Sequence, residues 1–366
     1  MHTPLNDLSR KSSSFVDDVT ASVRLVIESG QYFNGVNTRQ FCTWMSSRLR
    51  SQRFLPLANG TDALILALEA LQLPVGSHIA MTPNAGGYSC IAAVRADLIP
   101  CFIDIDAITH QMDPESLRAA FETNQNISAV VMTHLYGLVG EVASVKLLCE
   151  EYQVALIEDC AQAFGASVNG QSVGTFGDIA TFSFYPTKNL GAFGDAGGIT
   201  CRNKDTFEQV VSLSQYGWRD RYQIEINRGF NSRMDEIQAA ILCTQVKTFD
   251  ADNSHRREIV LQYDKSLDSS RRMIHKDDQS FIGHLAIMVT PTREADMAKL
   301  QSQGIATGIH YPTLDYHQEA WTKSFSKPSC PVAESTVRTI LTLPCFPSMS
   351  QKEIDHITTC LRELDN

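Results

Sequence analysis

The sequence predicts an α/β fold, a mostly parallel central sheet sandwiched by helices, with a smaller C-terminal α+β unit. Three observations predict it. Short apolar runs alternate with helical periods through the first two-thirds of the chain. One run, Leu156-Ile-Glu-Asp159, ends in a carboxylate, at the strand end where α/β sheets bind ligands. A lysine, Lys188, follows on a turn bracketed by Pro186 and Gly191, beside the Gly-rich stretch 191–198. The 366 residues are too many for one core, so two units are expected, 1–249 with an N-terminal helical segment and 250–366.

The elements follow in order. Apolar runs predict strands at 54–57, 78–81, 101–105, 127–133 and 154–157. Helical periods predict helices at 61–71, 89–96, 114–121 and 145–152. Runs at 179–184 and 198–201 read as antiparallel neighbours across the Lys188 loop. A long amphipathic helix is expected over 232–249, with Met234, Ile237, Ile241 and Val246 near one face. The second unit begins after it, with a strand near 285–290 and a helix near 295–303. A last helix is expected over 350–364, opened by a Ser350–Glu353 capping box. Segments 111–113 and 323–331 read as loops.

Composition narrows the function classes. The net charge is −10, from 31 Lys and Arg against 41 Asp and Glu. That argues against non-specific nucleic-acid binding. No apolar stretch approaches the roughly 20 residues of a membrane helix, and residues 1–15 lack the apolar centre of a secretory signal. A cytoplasmic enzyme without a membrane partner is expected. The ten cysteines are scattered, with no Cys-x-x-Cys pair, which fits neither a zinc site nor a disulfide framework. They read as buried thiols in a reducing compartment, Cys160 as a small core residue, and no metal site is expected.

Lys188 and Asp159 carry the chemistry. A lysine amine condenses with an aldehyde, and a carboxylate at a strand end can keep a pyridine nitrogen protonated, so that the ring accepts electrons. Together they point to pyridoxal 5′-phosphate (PLP). Asn59-Gly60-Thr61-Asp62 opens a helix after a strand and could present backbone amides to a phosphate; taken alone, the motif favours an ordinary helix cap. Tyr88, after Gly86-Gly87, either stacks on a planar cofactor or packs in the core. Gln162 either bonds a phenolic oxygen or caps a turn. Asn231-Ser232-Arg233 is a second candidate anion site or a simple cap. His310 and Tyr311 either reach the site from the second unit or hold structure, and His134 carries the same ambiguity. Arg219, Arg221, Arg228 and Arg233 either meet a diphosphate or form a solvated loop.

These motifs resemble the DegT/DnrJ/EryC1/StrS sugar aminotransferases, a fold type I PLP-dependent family. The matching stretches are Asn59-Gly-Thr-Asp-Ala63, Ile157-Glu-Asp-Cys-Ala-Gln-Ala-Phe-Gly-Ala166, Gly177-Asp-Ile-Ala-Thr-Phe-Ser-Phe-Tyr-Pro-Thr-Lys-Asn-Leu-Gly-Ala192, Asn231-Ser-Arg-Met-Asp-Glu-Ile-Gln-Ala-Ala240 and Gly308-Ile-His-Tyr-Pro312. The resemblance implies that Lys188 makes the covalent link to PLP, that Asp159 pairs with the ring nitrogen and that Gln162 contacts the ring oxygen. It assigns Gly60, Thr61 and Ser183 to the phosphate and Tyr88 to ring stacking. It gives Asn231 to the phosphate of a partner subunit's cofactor, hence a homodimer with shared sites. Cys160 replaces the usual Ala, and Ala196 stands where glycine is common.

The implied reaction moves an amino group from an amino acid, L-glutamate by resemblance, to a nucleotide-linked keto-sugar, with Lys188 shuttling the proton. Tyr185-Pro186 before Lys188, and Asn189-Leu-Gly-Ala after it, look more like relatives acting on 3-keto than on 4-keto sugars. A 3-keto-6-deoxyhexose is therefore expected, in amino-sugar biosynthesis such as that of lipopolysaccharide or O-antigen. Tyr185, Arg219, His310 and Tyr311 are the candidate substrate contacts. Three other readings stay open: a cyclitol-ketone aminotransferase, a PLP-dependent sugar dehydratase and a non-catalytic regulatory relative. Lys188 argues against the dehydratases, in which histidine replaces it.

Overall fold

The computed structural model describes residues 2–51, 53–321 and 328–364. Its central sheet contains β1 (Phe54–Leu57), β2 (His78–Met81), β3 (Ile99–Phe102), β4 (Ile127–Thr133), β5 (Ala155–Asp159), β6 (Ile179–Ser183) and β7 (Gly197–Cys201). Their order is β1-β7-β6-β5-β4-β2-β3. Neighbours from β3 through β6 pair in parallel. Strand β7 runs antiparallel to both β6 and β1, as expected across the Lys188 loop.

Strand β4, Ile-Ser-Ala-Val-Val-Met-Thr, is nearly all apolar because helices cover both of its faces. Val130 and Met132 join one core with Phe41, Met45, Leu117 and Val145. Ala129 and Val131 alternate to the other, with Leu64, Ala67, Cys90 and Val210. Two N-terminal helices precede β1, Ser13–Ser29 and Val36–Leu49, and Glu236 ties down the start of the second. Its buried carboxylate accepts from the amides of Gly35 (2.7 Å) and Asn37 (2.6 Å) and from Thr38 Oγ1 (2.5 Å).

Two expectations need correcting. The third strand lies at Ile99–Phe102 rather than 101–105, because pairing with β2 runs from His78↔Ile99 to Met81↔Phe102. Asp104 then leaves the sheet to accept from the amides of Val332 (3.0 Å) and Ala333 (2.9 Å). The long helix over 232–249 is two helices, Glu236–Gln245 and Phe249–Asp264. Ser232 is held outside the first by tertiary bonds: its amide donates to the Ser214 carbonyl (3.0 Å), and its hydroxyl accepts from the Ala58 amide (3.2 Å).

The C-terminal part builds a three-stranded antiparallel sheet from Arg272–Met273, Ala286–Val289 and Ile340–Leu343. Ile259, Tyr263, Leu300, Ile354 and Ile357 pack in its core. The Ser350–Glu353 capping box is present at the last helix, Gln351–Arg362. Of the loop expected at 323–331, residues 323–327 lie outside the described residues, and Pro331 opens a helix, Pro331–Thr336. No helix among the described residues is long and apolar enough to cross a membrane.

Candidate active site

A cavity of about 590 Å³ opens at the carboxyl edge of the parallel strands. Thr133, Asp159 and Ser183 stand at the ends of β4, β5 and β6 and line it. His284, Leu285, His310, Tyr311 and Thr342 line it from the C-terminal part.

Lys188 enters on a tight turn closed by its own amide, which donates to the Tyr185 carbonyl (2.8 Å). Burial pushes its amine down to about 8, against the opposing pull of Asp159. Burial pushes the Asp159 carboxyl up. Asp159 accepts from the Ala161 amide (3.1 Å) and Thr133 Oγ1 (3.2 Å), which fixes its orientation. Glu158 alternates to the opposite side, as expected. It accepts from the amides of Gly174 (2.8 Å), Phe176 and Gly177 (both 2.7 Å), and lies 3.1 Å from His134 Nε2. His134, Glu158 and Cys160 bring three potential metal-ligand atoms together, but those backbone amides already occupy both Glu158 oxygens.

The helix Gly60–Ala70 points its N-terminus into the cavity. The Asn59 side chain takes the Asp62 amide (2.8 Å), and its carbonyl takes that of Ala63 (3.2 Å). No protein acceptor among the described residues takes the amides of Gly60 and Thr61. Ser183 packs so closely that a Cβ on residue 60 would lie 2.7 Å from its Cβ. Free amides at a helix N-terminus form a cup that can take an anion. Tyr88 opens its own helix, lines the cavity and is 45% exposed. The Tyr136 amide donates to Gln162 Oε1 (2.8 Å), so Nε2 faces Tyr311, donating to its hydroxyl (3.1 Å). Amine, carboxylate, anion cup and exposed ring thus surround one cavity. Residues 14–362 match the model of the DegT/DnrJ/EryC1/StrS aminotransferase family.

The chain belongs to that family. It is 34% identical to the dTDP-3-amino-3,6-dideoxy-alpha-D-galactopyranose transaminase of Aneurinibacillus thermoaerophilus, over 97% of each chain. It is 30% identical to the UDP-N-acetyl-3-dehydro-alpha-D-glucosamine 3-aminotransferase of Acidithiobacillus ferrooxidans, over 98% of this chain and 97% of that one. Among solved structures it resembles NtdA from Bacillus subtilis with bound PMP, with a TM-score of 0.93 and 26% identity over 99% of this chain and 85% of that one. Members of the DegT/DnrJ/EryC1/StrS family are fold type I, PLP-dependent aminotransferases, and so is this chain. The cavity fits the cofactor: a reactive amine, a fixed carboxylate and an amide cup stand in one space.

In this aminotransferase, Gly60, Thr61, Tyr88, Asp159, Gln162, Ser183, Tyr185, Lys188, His310 and Tyr311 all line the cavity. Asn231 and Arg219 do not enter the cavity of their own chain. Asn231 is exposed beside Arg233, whose Nε donates to its Oδ1 (2.9 Å). Arg219 sits on the hairpin Trp218–Asp220 and Gln223–Ile224, within a separate cleft. The sequence reading missed His284, Thr342 and Asn6 as cavity residues. His284 follows a glycine and opens an apolar run, a pattern with no local cue to chemistry. Tyr136, whose hydroxyl donates to the His310 carbonyl (2.9 Å), likewise reads as core.

Proposed function

We propose that this chain transfers an amino group from L-glutamate to carbon 3 of a 3-keto-6-deoxyhexose carried on a nucleoside diphosphate. The observation that carries the reading is Lys188 and Asp159 sharing one cavity with the amide cup, His310 and Tyr311. The two relatives named above, each of which acts at carbon 3 by name, support the position.

Bound PLP supplies an electron sink at its pyridine ring. The amides of Gly60 and Thr61 and the Ser183 hydroxyl would hold its phosphate. Tyr88 would pack on the ring, Asp159 would keep the ring nitrogen protonated, and the Gln162 amide would serve the ring oxygen. Lys188 would hold the cofactor through its amine. Its amine, pushed down to about 8, then accepts and returns a proton near neutral pH. Tyr185, His310 and Tyr311 orient the sugar so that its ketone reaches near-attack distance, about 3–3.5 Å. Asn231 and Arg219 act in the cavity of a partner copy, which makes the working unit a homodimer. The apolar side chains exposed on the first helix, Val16, Leu25 and Ile27, suit such an interface.

The test compares matched 3-keto and 4-keto nucleotide sugars with glutamate as donor, reading the amine position by NMR. Turnover of the 3-keto compound is expected, and activity confined to the 4-keto compound refutes the reading. Borohydride reduction and peptide mapping should label Lys188, and a label on another lysine overturns its role.

A further inference from the structure

His284 lines the cavity beside Lys188, His310 and Thr342 and is only 6% exposed. Its Nδ1 lies 2.8 Å from Asn189 Oδ1. The orientation of Asn189 is set from behind. Its Nδ2 donates to the Ile282 carbonyl (3.3 Å) and to Asn253 Oδ1 (2.7 Å). A backbone carbonyl only accepts, so the Asn189 atom facing it must be the amide nitrogen. The atom facing His284 is then the oxygen, which accepts, and Nδ1 carries the proton. The peptide is anchored as well: the Ile282 amide donates to the Gly137 carbonyl (2.9 Å) and that of Leu285 to Tyr136 (3.2 Å).

A proton on Nδ1 leaves Nε2 as a lone pair. No protein group among the described residues bonds it. A second proton is disfavoured by burial and by the neighbouring Lys188, Arg256 and His310, which hold the imidazole well below its ordinary range. His310 differs. Its Nδ1 partner is the Thr342 hydroxyl (2.8 Å), which can donate or accept and so fixes no tautomer.

We infer that Nε2 of His284 is a fixed hydrogen-bond acceptor for a sugar hydroxyl next to the ketone, and that Asn189 is the positioning residue that sets its tautomer. The inference rests on the keto-sugar reading above. His284 lines the cavity with His310, Tyr311 and Thr342, all from the C-terminal part of the chain, whereas the anion cup comes from the N-terminal part, so these side chains are the ones left to meet the sugar. An acceptor that cannot become a donor selects a hydroxyl and rejects its absence, because the lone pair is then left unpaired.

The test uses holoenzyme in two arms. In the first, histidine is labelled with ¹⁵N, and the His284 signals are assigned by their loss in His284→Asn. Nδ1 is expected to be protonated and Nε2 bare across the neutral range, and a proton on Nε2 overturns the inference. Asn189→Asp should let the ring take a second proton, turning Nε2 into a donor and adding an acid limb to the pH profile; an unchanged profile counts against the lock. In the second arm, wild type and His284→Asn are compared on 3-keto nucleotide sugars with and without the hydroxyl on carbon 4, and on carbon 2. Asn keeps the donor to Asn189 and loses the acceptor. kcat/KM is expected to fall about 10- to 100-fold on the hydroxylated sugar, with little change on the matching deoxy sugar. Equal losses on both members of each pair overturn the inference. So does an unchanged preference with a moved Lys188 titration, which makes the lysine the donor. If wild type turns over none of these sugars, the proposed function fails and the hydroxyl assignment falls with it, while the tautomer is still read by NMR.

Discussion

Gly60→Ala probes the anion cup directly. The new Cβ would stand 2.7 Å from Ser183 Cβ and 3.2 Å from its Cα. Both atoms are fixed to the end of β6, so no rotamer change moves them aside. Ordinary carbon–carbon contact needs about 3.5–4.0 Å, so the helix N-terminus and the strand end part by about 1 Å. An amide–phosphate bond near 2.9 Å then stretches to about 3.9 Å, beyond useful range. Losing one bond to a charged group costs about 1.5–3 kcal/mol, which is about 10- to 150-fold in affinity. Overpacking lowers stability by a further 1–3 kcal/mol or so. The assay titrates PLP, and separately pyridoxal without its phosphate, into cofactor-free wild type and variant, followed by absorbance. PLP should weaken and pyridoxal hardly change. Gly194→Ala is the control, because its Cβ meets only the end of the flexible Gln238 side chain, at 3.2 Å. PLP affinity within about twofold of wild type, or an equal loss for pyridoxal, refutes the cup.

Three further outcomes are expected. Folded Lys188 loses its proton near 8 rather than 10.5, so between these values the unfolded chain holds more protons and wild-type stability rises with pH. Cofactor-free wild type should therefore gain on Lys188→Met by up to about 3 kcal/mol between neutral and strongly alkaline pH in urea unfolding; contact with cavity water makes this an upper figure, and a flat difference refutes it. Glu236→Ala strips the acceptor from the amides of Gly35 and Asn37 and from the Thr38 hydroxyl, and should cost about 3 kcal/mol or more; a change below about 1 kcal/mol in chemical denaturation counts against that anchor. Mixing inactive Lys188→Ala with inactive Asn231→Ala should restore one of the two sites in each mixed dimer, and no recovery between folded, dimeric partners refutes shared sites.

Much of the fold was legible because its signals are local. The apolar run of β4, the helix cap at Asn59 and the Ser350–Glu353 box are each decided within a few residues, by periodicity or by one side chain reaching its own backbone. Lys188 and Asp159 were legible for a similar reason, since strand end and turn carry them to one edge of the sheet. The start of the helix expected from Ser232 was not legible, because Ser232 is held outside it by bonding to Ser214 and Ala58. Nor was His284, which is separated from Asn189 by 95 positions. Its residue type and neighbours say nothing of a cavity. Only folding brings the C-terminal sheet against the Lys188 turn, and only there do a carbonyl and two carboxamides decide which ring nitrogen carries the proton. A hydrogen bond between distant segments leaves no periodic trace in either, so the sequence determined the cofactor's chemistry and the tertiary structure decided which C-terminal side chains line the cavity beside it.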